Sequence, residues 1–513
     1  MAIDTITTSR HYLTKQVTSL SKTLNEKTVQ LASGKSGTTY GSVGNSRLLD
    51  LELTQKVKRI EAYEETIVQA NLHIETLNLT LERLEDIRID GKASMDLNDY
   101  ELQSDGQTRT QATAELLLYE AANLLNTEVA GYYLYGGGVA SEDPVTRMDA
   151  ILDGAGDRAG LRQVMDEFRQ ANQGPNANGR LDVSALTTNY VAAVPTDSTF
   201  TVAEDGAHDF GFDLSSVTSG LTNVSVTGPA GPGTDPDSFD IQFTGQPTLG
   251  ESISIELTLP PAHDKAVTIE LTLAASNTVP DTFALGADLE ETAANLRTAL
   301  NTALEREAAT SLRAASDAWA GDSFFNTFAG ADPVRVDGPP FDTATATTSG
   351  AGTTVEWYVG ENTATTDART DKTAVIDDNL TVNYGVRANE EGLRDLIKAL
   401  AVFVAADFSG GTQTDELYYG DVAAATRAIL APTSSDESGI VDISTDVSLA
   451  YRTVDATSDR HVVQKSSFKT TIEEIEGVDN ELLAAEILQL QTNIEASYRA
   501  SSIVYQLTLA DYI

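Results

Sequence analysis

The sequence predicts a mainly α coiled-coil rod formed by paired N- and C-terminal helices, with an inserted α+β, β-rich outer region. Three observations predict it. Apolar residues near both ends recur at close to 3.5-residue spacing. A longer stretch after the first end keeps a helical period. The middle of the chain switches to period two.

At the N-terminal end the apolar residues are Leu13, Val17, Leu20, Leu24 and Leu31, separated by 4, 3, 4 and 7 positions. At the C-terminal end they are Leu483, Ile487, Leu490, Ile494 and Val504, separated by 4, 3, 4 and 10. Such spacing makes a narrow seam on a helix, and a seam of that kind needs a partner helix. Neither end buries its seam alone, so these residues form a candidate assembly interface.

Gly34, Gly37, Gly41 and Gly44 interrupt the helical pattern between Leu31 and Leu48. A second seam then runs Val57, Ile60, Tyr63, Ile67, Ala70, Ile74, Leu77, Leu81 and Leu84, which predicts one long helix. A third helix is expected over about Gln107–Val129, followed by an aromatic, glycine-rich turn from Gly131 to Gly138. From about Leu186 to Ala374 the pattern changes. Ser252–Leu259 and Ala266–Leu273 alternate apolar and polar as half-buried strands do, and Pro260-Pro261 with His263-Asp264 reads as their hairpin loop. One helix, about Leu289–Glu307, interrupts the strands with Leu289, Ala293, Leu296, Leu300 and Leu304 on one face. Helix returns at Glu390–Phe408 and again from about Thr445 to the end.

A chain that leaves a helical region and comes back to it predicts composite domains. Residues 1–45 with 471–513 form an inner terminal domain, and 46–186 with 375–470 a helical rod domain. Residues 187–320 form an outer α+β domain and 321–374 an outer β- and loop-rich segment.

Seventy-seven acidic against 34 basic side chains give a formal net charge of −43, which argues against nucleic-acid or anionic-membrane partners. The charge is uneven: residues 1–60 hold nine Lys/Arg and four acids, a net of +5, so the remainder carries −48. The C-terminal segment is acidic, with Glu481, Glu486 and Glu495. A basic first helix and an acidic last helix attract, which can set pairing and orientation. There are no cysteines, so disulfides and thiolate chemistry are excluded. Residues 1–30 lack the apolar core of a signal peptide, and no run reaches the roughly 20 apolar residues of a membrane span. The expectation is a cytosolic protein, or one exported without a cleaved signal.

Signs of catalysis are sparse. His11, His73, His208, His263 and His461 are scattered, and neither HExxH nor GxSxG is present. Gly136-Gly137-Gly138 lacks the lysine of a phosphate loop. Asp235, Asp237 and Asp240, or Asp205 and Asp209, offer oxygens of the kind calcium takes, without a calcium-loop signature; they read as acidic loops. Thr343–Thr354 reads as a flexible Ser/Thr-rich loop. No catalytic residue, cofactor or metal is assigned, and no enzyme activity is expected.

Several segments together resemble the bacterial flagellin family, which includes filament subunits and the related hook–filament junction protein. Leu31-Ala32-Ser33-Gly34-Lys35 is similar to the family segment closing the first helix, and Gly131–Gly137 to its aromatic turn. Ile475-Glu476-Gly477-Val478-Asp479, Gln489-Leu490-Gln491-Thr492, Glu495-Ala496-Ser497-Tyr498 and the ending Gln506–Ile513 resemble the family's C-terminal motifs. The likeness covers about the first 135 and last 70 residues. It implies a secreted subunit that polymerises into the extracellular flagellar filament used for swimming. It implies as partners further copies of the chain, the flagellar export apparatus, a secretion chaperone, and hook-associated junction and cap proteins. It also implies that the terminal segments order on polymerisation. The family segment read by vertebrate innate receptors carries an Arg where Glu85 stands here, which implies weak recognition. Two other readings remain: the junction protein itself, and a secreted acidic coiled-coil adhesin.

Overall fold

The computed structural model describes residues 2–37, 44, 46–139, 141–230, 236–363, 365–431 and 439–510, with backbone alone for 2–10 and 504–510. The chain opens with α1 (Ala2–Ser33), α2 (Arg47–Ser94) and α3 (Arg109–Leu125). A small hairpin, β1 (Glu128–Val129) and β2 (Tyr132–Tyr133), precedes α4 (Met148–Asp153) and α5 (Leu161–Gln173). A run of strands follows: β3 (Leu181–Val183), β4 (Thr187–Val191), β5 (Val194–Glu204), β6 (Asp213–Ser219) and β7 (Val224–Thr227). It continues through β8 (Ser238–Phe243), β9 (Ser252–Leu259), β10 (Lys265–Ala274) and β11 (Thr282–Ala284). Next come α6 (Leu289–Ala309), α7 (Ser311–Phe325), β12 (Val334–Val336), β13 (Thr347–Ser349), β14 (Thr373–Asp377) and β15 (Leu380–Asn383). The chain closes with α8 (Glu391–Ala405), α9 (Gln413–Ile429), α10 (Gly439–Glu476) and α11 (Asn480–Ala510).

This corrects the expected fold class. Helix makes up 51% of the chain and strand 19%, with several small, mostly antiparallel sheets, so the fold is mixed α/β and not a mainly α coiled-coil rod. The seams are confined to the ends and to α2. Between them, residues 148–429 spend their apolar side chains on short helices and sheets, a pattern on which the terminal seams have no bearing.

The chain forms two compact units. The first gathers Met1–Asn71, Ala374–Val382 and Arg452–Ile513; the second holds Leu72–Thr373 and Asn383–Tyr451.

In the second unit, β9 and β10 pair antiparallel with Ile255 opposite Ile269 and Leu257 opposite Val267. Their sheet runs β11-β10-β9-β6, and a second runs β3-β5-β8-β7 with β4 on β5. Period-two alternation places Ile253, Ile255, Leu257, Ile269, Leu271 and Leu273 inward, where they meet Phe200, Phe239, Ile241 and Phe243 of the other sheet. The face of α6 expected from spacing, Leu289, Ala293, Leu296, Leu300 and Leu304, is buried in the same core. Asp288 caps α6 by accepting the Glu291 amide, and Glu290 and Glu291 in the first turn suit the helix dipole. Gly179 has φ +77°, and a Cβ there would lie 2.1 Å from the Phe212 ring, so the turn into β3 admits only glycine.

Expectation and structure part in several places, among them the last helix, expected from about Thr445 to the end, which is two helices, α10 and α11, separated at residues 477–479. Helix α3 stops at Leu125, because the Asn126 side chain exchanges hydrogen bonds with both backbone groups of Val145, at 2.8 and 2.9 Å. A second helix, α7, follows α6 directly after Thr310. Helices α5 and α9 were not anticipated. Helix α5 announces itself through Leu161, Val164, Met165, Phe168 and Ala171, all buried, and α9 through the capping box of Thr412 and Asp415. These helices enclose a buried network: Arg169 bridges Asp317 at 2.6 Å, and Tyr418 donates to the same carboxylate.

Candidate assembly surface

The predicted interface residues fall in the first unit. Helix α1 lies against α11, so the two ends of the chain meet. The chain between α1 and α2 is hydrogen-bonded to the joint between α10 and α11. Ser36 N–H donates to the Glu476 carbonyl at 2.7 Å, Val478 N–H donates to the Gly34 carbonyl at 3.2 Å, and Lys35 forms a β-bridge with Gly477. Gly34 has φ +68°, a left-handed ending that glycine adopts without strain. Asp479 begins α11, its carboxylate accepting the Glu481 and Leu482 amides at 2.9 and 3.1 Å.

Charge follows the asymmetry of the sequence. Lys27 of α1 pairs with Glu486 of α11 at 2.8 Å, and Lys35 with Glu476 at 2.6 Å. Both pairs are partly exposed, so each adds at most about 1 kcal/mol and serves orientation more than stability.

Seam residues divide by burial. Leu483 and Ile494 of α11 are buried, at 4% and 9% exposure. Leu13, Val17, Leu20, Leu24, Ile487 and Leu490 are half-buried. Leu31 is exposed, and the side chain of Val504 lies outside the described residues. Beside this seam the same unit leaves large apolar residues in solvent: Tyr12, Val29, Leu482, Leu488, Tyr498 and Ile503 on the terminal helices. Leu48, Leu49 and Val68 on α2 and Val462 and Val463 on α10 are exposed as well. These side chains make up the candidate assembly surface.

The rest of the unit is tied by ion pairs. Arg59 bridges Asp378 at 2.9 Å, Tyr63 donates to Asp378 at 3.0 Å, and Arg460 bonds Asp377 at 2.5 Å. Lys469 pairs with Glu61 at 3.3 Å, and Lys465 bonds Glu64. Of the second seam, Val57, Ile60, Ile67 and Ala70 are buried here, while Tyr63 is half-buried and stacks on the buried His461.

Neither a scan against protein-family models nor a search of curated proteins finds a match to this chain.

Sequence inspection missed one feature of this unit. Asp50, in the first turn of α2, is fully buried, and neither carboxylate oxygen has a hydrogen-bond partner among the described residues. Burial, reinforced by Glu476 and opposed by Lys35, raises its pKa above the ordinary carboxylate value. Nothing in its local sequence signals that environment, which depends on Glu476 more than 400 positions away.

Of the acidic residues singled out, Asp205, Asp237 and Asp240 are engaged by protein groups, and Asp240 stands in strand β8. Asp205 pairs with Arg180 at 2.7 Å and His208 at 2.9 Å, Asp237 accepts the Ala230 and Ser238 amides, and Asp240 accepts the Thr201 hydroxyl. Asp235 lies outside the described residues. Among the described residues no cluster of three His, Asp or Glu side chains is arranged to hold a metal, and no helix is long and apolar enough to cross a membrane. Glu85, in the segment aligned with the receptor-read motif, pairs with Arg88 at 2.7 Å.

Proposed function

We propose that this chain is the structural subunit of a bacterial flagellar filament, associating head-to-tail into an open helical polymer used for swimming motility. The observation that carries the reading is the exposed apolar surface of α1 and α11. Val29, Leu31, Leu482, Leu488 and Tyr498 stay in solvent although the two helices lie against each other. A surface left over after intramolecular packing is supplied with a partner when copies of one chain associate, and heterologous contacts that do not close give filaments. Two of the segments that resemble flagellins, Gln489–Thr492 and Glu495–Tyr498, lie on α11 with Leu482 and Leu488, which supports this reading over a generic oligomer. The partners are further copies of the chain, the export apparatus with a secretion chaperone, and hook-associated junction and cap proteins. The location is outside the cell.

Deleting Leu483–Ile513 tests the proposal. The truncated chain keeps the second unit folded, since none of its residues is removed, and sediments as a monomer under conditions that polymerise the full chain. Filaments from the truncated protein would overturn the reading.

A further inference from the structure

In this acidic chain the buried guanidinium groups are matched to carboxylates. Arg169 meets Asp317 at 2.6 Å, Arg180 meets Asp205 at 2.7 Å, and Arg387 meets Asp371 at 2.5 Å. Arg335 and Arg369 bond Glu167 and Glu390. Arg394 departs from this pattern. Its side chain is only 13% exposed, its nearest carboxylate oxygen, on Asp395, is 4.0 Å away, and its guanidinium makes no hydrogen bond among the described residues. The guanidinium lies 4.8 Å over the ring of Phe328, a residue 46% exposed.

Arg394 and Phe328 line a cavity of about 460 Å³ in the second unit, together with Arg387, Asn389, Glu390 and Glu391. Two of the charged side chains are already engaged. Arg387 is spent on Asp371 and on the Thr366 carbonyl, and Glu390 on Arg369 and the Arg387 amide. Glu391 is exposed. Asn389 donates its amide to the Asn362 side chain at 3.5 Å, so the unspent groups facing the cavity are the Arg394 guanidinium and an aromatic ring. A mostly buried guanidinium with no close carboxylate gains two parallel N–H···O bonds when a carboxylate seats on it. The ring holds the guanidinium plane and covers the apolar part of whatever enters.

We propose that this cavity binds a carboxylate group, seated on Arg394 with its carbon chain against Phe328. The carboxylate comes either from a free small organic acid or from an Asp or Glu of a second copy of the chain, and the site stands without the filament reading.

Isothermal titration of succinate into dilute full-length protein, in low-chloride buffer, tests the site, with neutral succinamide as the control. The wild type binds succinate and not succinamide. Arg394→Gln weakens succinate about tenfold or more, Arg394→Lys keeps part of the affinity, and Phe328→Ala weakens it about threefold. Circular dichroism of each variant verifies folding. Equal succinate affinity in wild type and Arg394→Gln, no succinate binding by the wild type, or equal binding of succinamide overturns the proposal. Sedimentation separates the two sources. If a second copy supplies the carboxylate, Arg394→Gln raises the concentration needed for self-association, and succinate does the same to the wild type. If self-association is indifferent to both while succinate binds, the occupant is a free acid.

Discussion

Among the described side chains of the terminal seams, Leu483 and Ile494 are the most withdrawn from solvent, so the α1–α11 contact is most sensitive there. Truncating Ile494 to Ala costs about 2–4 kcal/mol locally, and Ile494→Asp costs more by placing an unpaired charge in the contact. Faster amide exchange in α1 and α11 of the Asp variant, with exchange in β9 and β10 unchanged, is the expected outcome; equal rates in the terminal helices would contradict it. In the second unit, Asp317 neutralises Arg169 and accepts from Tyr418, and its carboxylate is fully buried. Asp317→Asn leaves Arg169 with Asp166 alone, at 3.0 Å and largely exposed, and destabilises the unit by about 3 kcal/mol in thermal unfolding. A loss under about 1 kcal/mol would mean that Asp166 compensates. Neither role of Asp317 was legible from sequence, because Arg169 and Tyr418 lie more than 100 positions from it.

Elements were legible where the pattern was periodic and long. Helix α2, strands β9 and β10, and the buried face of α6 follow from spacing alone, because period 2 and period 3.6 fix which side chains turn inward. Helices α5 and α9 were missed although each carries a readable signal: an apolar stripe in one, a capping box in the other. The fold class was misjudged because seams at the ends say nothing about how the residues between them fold. Strands β5, β6 and β8 meet around Glu204, whose carboxylate accepts the Leu214 amide at 2.8 Å and the Asp237 amide at 2.7 Å. Burial, opposed by those two donors and aided by nearby Asp213, pushes its carboxyl from an ordinary 4.5 up to about 7. The folded state therefore holds a proton that the unfolded state lacks between those values, and this group's contribution to stability falls as pH rises across that window. Amide exchange of β5 and β8 accordingly speeds up from pH 4.5 to 7 beyond its intrinsic rate, and Glu204→Gln flattens that dependence. An unchanged slope in the variant would assign the effect elsewhere.

At the scale of the whole molecule, a net charge of −43 makes copies repel, and the apolar surface of α1 and α11 must overcome that repulsion for the chain to polymerise. Salt shortens the range of the repulsion from about 30 Å at 0.01 M to about 3 Å at 1 M, while apolar contacts remain. Polymerisation is thus expected to require salt, with a critical concentration that falls as ionic strength rises; light scattering over a salt series measures it. The basic N-terminal segment and the acidic last helix were legible as a charge asymmetry, and Lys27–Glu486 realises it. The central claim is that these ends build a filament. Negative-stain microscopy of the purified full-length chain after salt-induced assembly tests it most directly. The account predicts long, uniform helical filaments from the wild type and none from Ile494→Asp. Discrete trimers or monomers from the wild type under all salt conditions would contradict it.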